Sequence, residues 1–115
     1  MTREDAVDLI RASVSRGTAT PSFGPSREEY IRTQTDRLLE AVVEPQLVRV
    51  VGETYCHGVL QDLRSESVLA VAREEEKWLL FRPSRGEFCM AYGRSQNELT
   101  IWGFSSADAL AEWLG

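Results

Sequence analysis

The sequence predicts an α+β fold made of two N-terminal helices, a five- to six-stranded antiparallel meander sheet and a short C-terminal helix. Apolar residues recur at helical spacing in the first 43 residues. From residue 47 the period changes to two, and β-branched and aromatic residues become more frequent, as is typical of strands. At 115 residues the chain suits a single domain, because a core of this size needs neither disulfides nor a structural metal.

The first helix is predicted at 3–16, where Thr2 and Asp5 have the spacing of a capping box. The next segment, 17–25, places two prolines and two glycines around one aromatic residue, Phe23. We expect this segment to be a connector that Phe23 attaches to the core.

The second helix is predicted at 27–43. Ser26 and Glu29 form a second capping-box pattern, and Pro45 cannot continue a helix. The middle of the apolar stripe is polar, which favours a helix that lies across a sheet with one side in solvent.

Six alternating segments form the predicted sheet. Their connections are too short for crossover helices, so consecutive strands should pair as antiparallel hairpins. Both sheet faces carry apolar residues, with Trp78 and Leu80 on one and Leu79 and Phe81 on the other. One face should be covered by helices, while the other must curl, pack on a partner chain or form an exposed apolar patch. The strands are predicted at 47–55, 57–63, 67–73, 77–83, 87–93 and 98–104, so that the sheet occupies 47–104.

A last helix is predicted at 106–114. Ser105 or Ser106 would cap its N-terminus, and Trp113 would face the core.

Composition restricts the classes of partner. The 13 Lys and Arg residues against 18 Asp and Glu residues give a net charge of −5. This balance argues against binding to nucleic acid or to an anionic membrane, because both require clustered positive charge. The first residues lack the basic and apolar stretches of a signal peptide, and no apolar run approaches the roughly 20 residues of a spanning helix. We expect a cytoplasmic protein whose two cysteines are reduced.

The residues that could perform chemistry are one histidine, two cysteines and four carboxylates in or near strands, Glu53, Asp62, Glu66 and Glu87. Two of the carboxylates could converge as an acid and a base, but a solvated strand edge is the expected position for them. Cys56 and His57 are neighbours, and neighbouring side chains on a strand point to opposite faces, so they cannot share a metal ion unless a turn intervenes. Cys89 could meet His57 as nucleophile and base if their strands pair, but its flanking residues, Phe88 and Met90, favour a buried thiol. We therefore predict no catalytic residue, no metal and no cofactor.

The densest charge run consists of three consecutive glutamates at 74–76, between two predicted strands. It is interpreted either as a solvated hairpin tip or as a negative surface that steers a cationic partner. Large aromatic residues surrounded by charge are typical anchors of a protein interface. The predicted partner-binding residues are Glu53, Tyr55, Glu74, Glu75, Glu76, Glu87, Tyr92 and Trp102.

Three features define the general build of the chain. They are the acidic run at 74–76, the predicted sheet at 47–104 and the ending SSADALAEWLG at 105–115. This build resembles that of the small immunity proteins that bacteria encode beside polymorphic or type VI secreted toxins. The resemblance implies a non-enzymatic monomer or homodimer that neutralises a cognate toxin or effector with a basic surface by occluding its active site. Two other hypotheses stay open. One is an acidic secretion or folding chaperone that presents apolar sheet faces to an effector, and the other is a small enzyme that uses His57 with carboxylates.

Overall fold

The structure confirms the predicted α+β fold class. In the residues described by this computed structural model, 1–54 and 58–115, two helices precede a six-stranded, mostly antiparallel sheet, and a short helix follows it. No helix in these ranges is long and apolar enough to cross a bilayer. The elements in chain order are α1 (Arg3–Ser15), α2 (Arg27–Glu40), β1 (Val42–Leu47), β2 (Val50–Glu53), α3 (Val59–Leu63), β3 (Leu69–Glu74), β4 (Lys77–Arg82), β5 (Glu87–Tyr92), β6 (Leu99–Ser106) and α4 (Ala109–Leu114).

Helices α1 and α2 begin at the caps that the sequence predicts. The Thr2 hydroxyl accepts a hydrogen bond from the backbone N–H of Asp5, and the Asp5 carboxylate accepts one from the backbone N–H of Thr2. The Ser26 hydroxyl likewise accepts from the backbone N–H of Glu29. These side chains satisfy backbone donors that have no partner within the first helical turn.

The strand order across the sheet is β1-β3-β4-β5-β6-β2. Strands β3 to β6 form the predicted antiparallel meander, and β1 joins it antiparallel to β3. Strand β2 instead pairs parallel to β6, which corrects the fully antiparallel arrangement. Loop length restricts only strands that follow one another in the chain, and β2 pairs with a strand far from it in sequence.

The sheet is strongly curled. Strands β1 and β2 stand at its opposite edges, although only Val48 and Arg49 separate them in the chain. Three residue steps span at most about 11 Å, whereas the edges of a flat six-stranded sheet would lie about 24 Å apart. The backbone N–H of Val48 donates to the carbonyl of Val68, and that of Arg49 donates to the carbonyl of Gln96. The segment between β1 and β2 therefore bridges the two edges of the curl.

Two apolar cores result, one on each face. On the outer face Leu79 and Phe81 pack with residues of α1, α2 and α4. On the inner face Trp78 and Leu80 pack with Cys89 and with residues of α3. The predicted division of β4 between two faces is confirmed, and of the three possibilities left for the second face, the curl is the one that occurs.

The second helix is shorter than the predicted 27–43, because it ends at Glu40 and strand β1 begins at Val42. The residues before Pro45 are disfavoured in helical conformation by the proline ring, and β-branched valines suit a strand. Pro45 lies inside β1, an edge strand whose register shifts between Val42 and Gln46. A proline is tolerated at such a position because no hydrogen-bond donor is required of it.

The strand predicted at 57–63 is wrong, because residues 59–63 form helix α3. Val59 and Leu63 are both buried in the inner core at a spacing of four residues, which is one helical turn. The strand predicted at 47–55 shortens to β2, at 50–53, and its last residue, Tyr55, lies outside the described residues.

Helix α4 begins later than predicted, at Ala109, and its cap is Asp108, whereas Ser105 and Ser106 belong to β6. The Asp108 carboxylate also accepts hydrogen bonds from Thr18 Oγ1, at 2.9 Å, and from the backbone N–H of Ala19, at 2.7 Å.

The connector at 17–25 is thus attached by Asp108. Arg27 adds two bonds from its guanidinium, to the carbonyl oxygens of Thr18 and Thr20. The expectation that Phe23 attaches the connector to the core is wrong, since this side chain is 72% exposed.

Candidate partner-binding site

Most of the predicted partner-binding residues come together at one end of the sheet. Strand β4 begins directly after the three glutamates, and its first residue, Lys77, pairs with Tyr92 on β5. Tyr92 in turn pairs with Thr100 on β6, two residues before Trp102. Tyr55 lies outside the described residues. The residues brought together are Glu74, Glu75, Glu76, Tyr92 and Trp102.

The hairpin tip, residues 74–76, joins β3 to β4 through a tight turn. Glu75 has a φ of 56°, the left-handed conformation that such a turn requires. The Arg73 side chain supports the turn, because its Nε donates a hydrogen bond of 2.8 Å to the Glu75 carbonyl. The Arg73 guanidinium also lies over the Trp78 ring, 4.3 Å from the ring centroid.

Positive side chains compensate part of the negative charge at the hairpin tip. The Glu76 carboxylate accepts a hydrogen bond of 3.0 Å from Arg94 Nε, in an ion pair whose two side chains are both exposed. Exposed pairs of this kind contribute little to stability. The tip is held more firmly by its backbone, because the Glu76 carbonyl accepts from the N–H of Gly93, whose carbonyl accepts from Trp78 Nε1. The tip is therefore a fixed turn with a reduced net charge.

An aromatic surface lies beside the hairpin tip. The Tyr92 and Trp102 rings meet edge to face, with centroids 5.8 Å apart and planes at 81°. Each of the two residues is 41% exposed, and Phe104, further along β6, is 62% exposed. We call the surface formed by Tyr92 and Trp102 the aromatic end. Phe104 was missed by the sequence prediction, and the register shift of β6 against β5 and the positive φ of Gly103 interrupt the strand alternation between Trp102 and Phe104.

Lys77 connects the aromatic end to helix α4. Its ammonium group lies over the Trp113 ring, 4.1 Å from the centroid, and Trp113 is buried in the outer core as predicted. Burial lowers the pKa of Lys77, the charge of Arg37 lowers it further, and the charge of Glu74 raises it. Lys77 is thus a half-buried cation that partly offsets the acidic tip.

Glu87 lies away from the aromatic end, in an ion network around the buried Arg82. Arg82 is 1% exposed, and its Nε donates a hydrogen bond of 2.8 Å to Glu66 Oε1. Its Nη2 lies 2.6 Å from the same oxygen, as an ion-pair contact outside hydrogen-bond geometry. Its Nη1 donates to the Ser105 hydroxyl, which donates to the Glu87 carboxylate at 2.7 Å. Glu87 is therefore engaged inside the protein.

Glu53 also makes an internal contact. One of its carboxylate oxygens accepts a hydrogen bond of 3.3 Å from the backbone N–H of Leu60, in the first turn of α3. The partner-binding role predicted for Glu53 and Glu87 stays a prediction, and neither residue contributes to the aromatic end.

The described residues offer little for nucleophilic or metal chemistry. Cys89 is fully buried, and this burial raises the pKa of its thiol to about 12, so the thiolate is not formed near neutral pH. Over residues 1–54 and 58–115, no group of three potential metal-ligating side chains is found. Cys56 and His57, the other candidates for metal binding or catalysis, lie outside these ranges.

Comparisons of the chain with protein-family models, with curated proteins and with solved structures found no match. Proposals about its function therefore rest on its own residues.

Proposed function

We propose that this protein is a binding protein that docks a partner with a basic surface at the aromatic end. The observation that carries the proposal is the pair of partly exposed rings, Tyr92 and Trp102, in edge contact beside an acidic hairpin tip. Tyr and Trp supply large contact areas at a low cost in side-chain entropy and are enriched among residues that dominate binding energy.

The distribution of charge supports a basic partner. Residues 42–115 contain 11 acidic and 7 basic residues, so they hold −4 of the net charge of −5. A field of this sign accelerates encounters with a cationic surface and slows encounters with an anionic one. Since Arg73, Lys77 and Arg94 match the three glutamates of the hairpin tip in charge, the attraction would come from the sheet region as a whole.

The partner proposed first is a bacterial toxin, as for an immunity protein. A toxin that acts on nucleic acid or on an anionic nucleotide needs a cationic active site, and an acidic protein with aromatic anchors is suited to cover it. Such an inhibitor needs no reaction of its own.

The chaperone hypothesis is the second candidate. It requires an apolar sheet face that can receive an unfolded segment, and in the described residues both faces of β3, β4 and β5 are covered by the chain itself. The hypothesis of an enzyme built on His57 concerns a residue outside the described ranges.

The test uses the product of a toxin gene encoded beside the gene for this protein. Trp102→Ala and Tyr92→Ala should each weaken binding to the purified toxin by about 30-fold or more, as expected for a central interface residue. Phe23→Ala is the matched control, because it removes an aromatic side chain that is 72% exposed on the connector. Calorimetry gives the dissociation constants, and growth of cells that express the toxin reports neutralisation.

Two outcomes would contradict the proposal in different ways. Tight binding that survives both aromatic substitutions would place the interface elsewhere. A toxin that neither binds the wild-type protein nor is neutralised by it in cells would refute the inhibitor function itself.

A further inference from the structure

A cavity of about 490 Å³ opens where the two edges of the curled sheet meet. One wall is the bridging segment at 48–51, and the other is formed by the end of α3 and the chain after it, at 63–68. The cavity thus lies at the mouth of the curl, and its lining residues do not include Tyr92 or Trp102. Mouths of curled and closed sheets are common ligand sites, because the strands fix side chains around an enclosed space.

Two arginines line this cavity from opposite walls. Arg49 and Arg64 are both exposed, and in the described part of the chain neither side chain takes part in a hydrogen bond or an ion pair. Their backbones are fixed. Arg49 donates to the carbonyl of Gln96 and accepts from the N–H of Leu99, and Arg64 donates to the carbonyl of Leu60 at the end of α3. Two guanidinium groups without a counter-ion therefore face one space from anchored positions.

The carboxylate in the cavity wall does not neutralise these arginines, because it is already engaged. Glu66 is bound by Arg82 and by the Ser84 hydroxyl. Burial raises the pKa of Glu66, but the hydrogen bonds from Ser84 and Arg82 and the charges of Arg82 and Arg85 outweigh burial and hold this pKa below its usual range. Glu66 is therefore an anion, and the positive charge of Arg82 balances its negative charge.

The rest of the lining includes aliphatic side chains. Leu63 and Val68 are buried in the inner core, whereas Val50 is half-buried and Val51, at the mouth, is 47% exposed. A ligand that suits this lining has a negative group for the arginines and a short apolar part for the aliphatic wall.

We propose that this cavity binds a small organic carboxylate, with its negative group between Arg49 and Arg64 and its aliphatic part against Val50 and Val51. Arginine suits this role because its planar guanidinium pairs with a carboxylate through two parallel hydrogen bonds. The residues of this site differ from those of the aromatic end, so each site can be tested by its own substitutions.

The experiment titrates hexanoate into the full-length protein and follows backbone amide signals by nuclear magnetic resonance. We expect the largest shifts at 48–51 and 63–68, and a dissociation constant at least tenfold higher for Arg49→Gln and for Arg64→Gln. Arg11→Gln, which removes an exposed arginine on α1, is the matched control and should bind as the wild type does. Val51→Asp adds a negative charge at the mouth and should also weaken binding at least tenfold.

Three further ligands separate the two parts of the proposal. Hexan-1-ol lacks the charge, while acetate and inorganic phosphate lack the aliphatic chain, so each should bind at least tenfold more weakly than hexanoate. The proposal is overturned if hexanoate does not shift signals at the cavity, if both arginine variants bind it unchanged, or if any of these three ligands binds as tightly. Thermal unfolding of each variant verifies that the substitution leaves the protein folded.

Discussion

The carboxyl group of Glu112, on helix α4, should make the stability of this protein depend on pH. Burial raises the pKa of Glu112 to about 7, a hydrogen bond with Ser106 lowers it, and the charges of Asp108 and Glu87 raise it. Its Oε2 is buried and has no hydrogen-bond partner among the residues described. The folded state therefore holds the proton of Glu112 more tightly than the unfolded state does.

The direction and the magnitude of the change in stability with pH follow from this difference in pKa. With a pKa of about 7 in the folded state against 4.5 for an unperturbed carboxyl, the contribution of Glu112 to stability is complete below pH 4.5 and is lost as the pH rises through 7. A fully buried carboxyl with this shift would lose about 3 kcal/mol. Because the side chain is only partly buried, solvent screening reduces the expected loss to about 1–2 kcal/mol.

The assay compares wild type with Glu112→Gln by urea unfolding at pH 5 and pH 8. Glutamine keeps the shape of the side chain but does not ionise, so the variant should be more stable than wild type by about 1–2 kcal/mol at pH 8 and by much less at pH 5. Glu98→Gln removes an exposed carboxylate and should change stability by no more than about 0.5 kcal/mol at either pH. An equal effect of Glu112→Gln at both pH values, or no stabilisation at pH 8, would refute this account.

Three further predictions concern packing and reactivity. Arg82→Met should cost about 3–5 kcal/mol of unfolding free energy in urea, because Glu66 loses its buried counter-ion, and adding Glu66→Met should recover part of the loss; no recovery would contradict this. Gly93→Ala places a Cβ 2.6 Å from the Glu98 carbonyl oxygen and should cost about 1–3 kcal/mol, whereas Gly52→Ala, whose nearest neighbour is at 3.5 Å, should cost less than about 1 kcal/mol. Equal losses would reject the steric explanation. Iodoacetamide should modify Cys89 about 100-fold more slowly in native protein than in urea, as followed by peptide mass spectrometry, because the thiol is buried with a raised pKa; similar rates would show that it is accessible.

The sequence correctly predicted those elements that are specified by capping residues or by alternation over a few neighbouring positions. The capping side chains of Thr2 and Ser26 mark helix starts that the structure confirms. The alternation in β4 correctly separated Trp78 from Leu79, because side-chain direction in a strand has a period of two. The same rule stops at Gly103, where the register of β6 shifts against β5, so alternation alone does not place Phe104.

The errors arose where a local signal had two interpretations. Pro45 predicts the end of a helix, but a proline is equally compatible with an edge strand. The segment at 59–63 is short and apolar, so its helical spacing rests on the single pair Val59 and Leu63. The conformation of a segment this short is decided by the surface against which it packs, which here is the inner face of the curled sheet.

The sequence by itself determined the α+β class, the meander of β3 to β6 and the two-sided apolar character of its central strands. These properties depend on spacing, capping and turn length, all of which act over a few residues. The tertiary structure alone decided that β2 pairs with β6, that the sheet curls, and that the buried Arg82 bonds to Glu66 and Ser105. It also decided that Arg49 and Arg64 face one cavity. Each of these contacts joins residues far apart in the chain, and such contacts form only when the whole chain has packed.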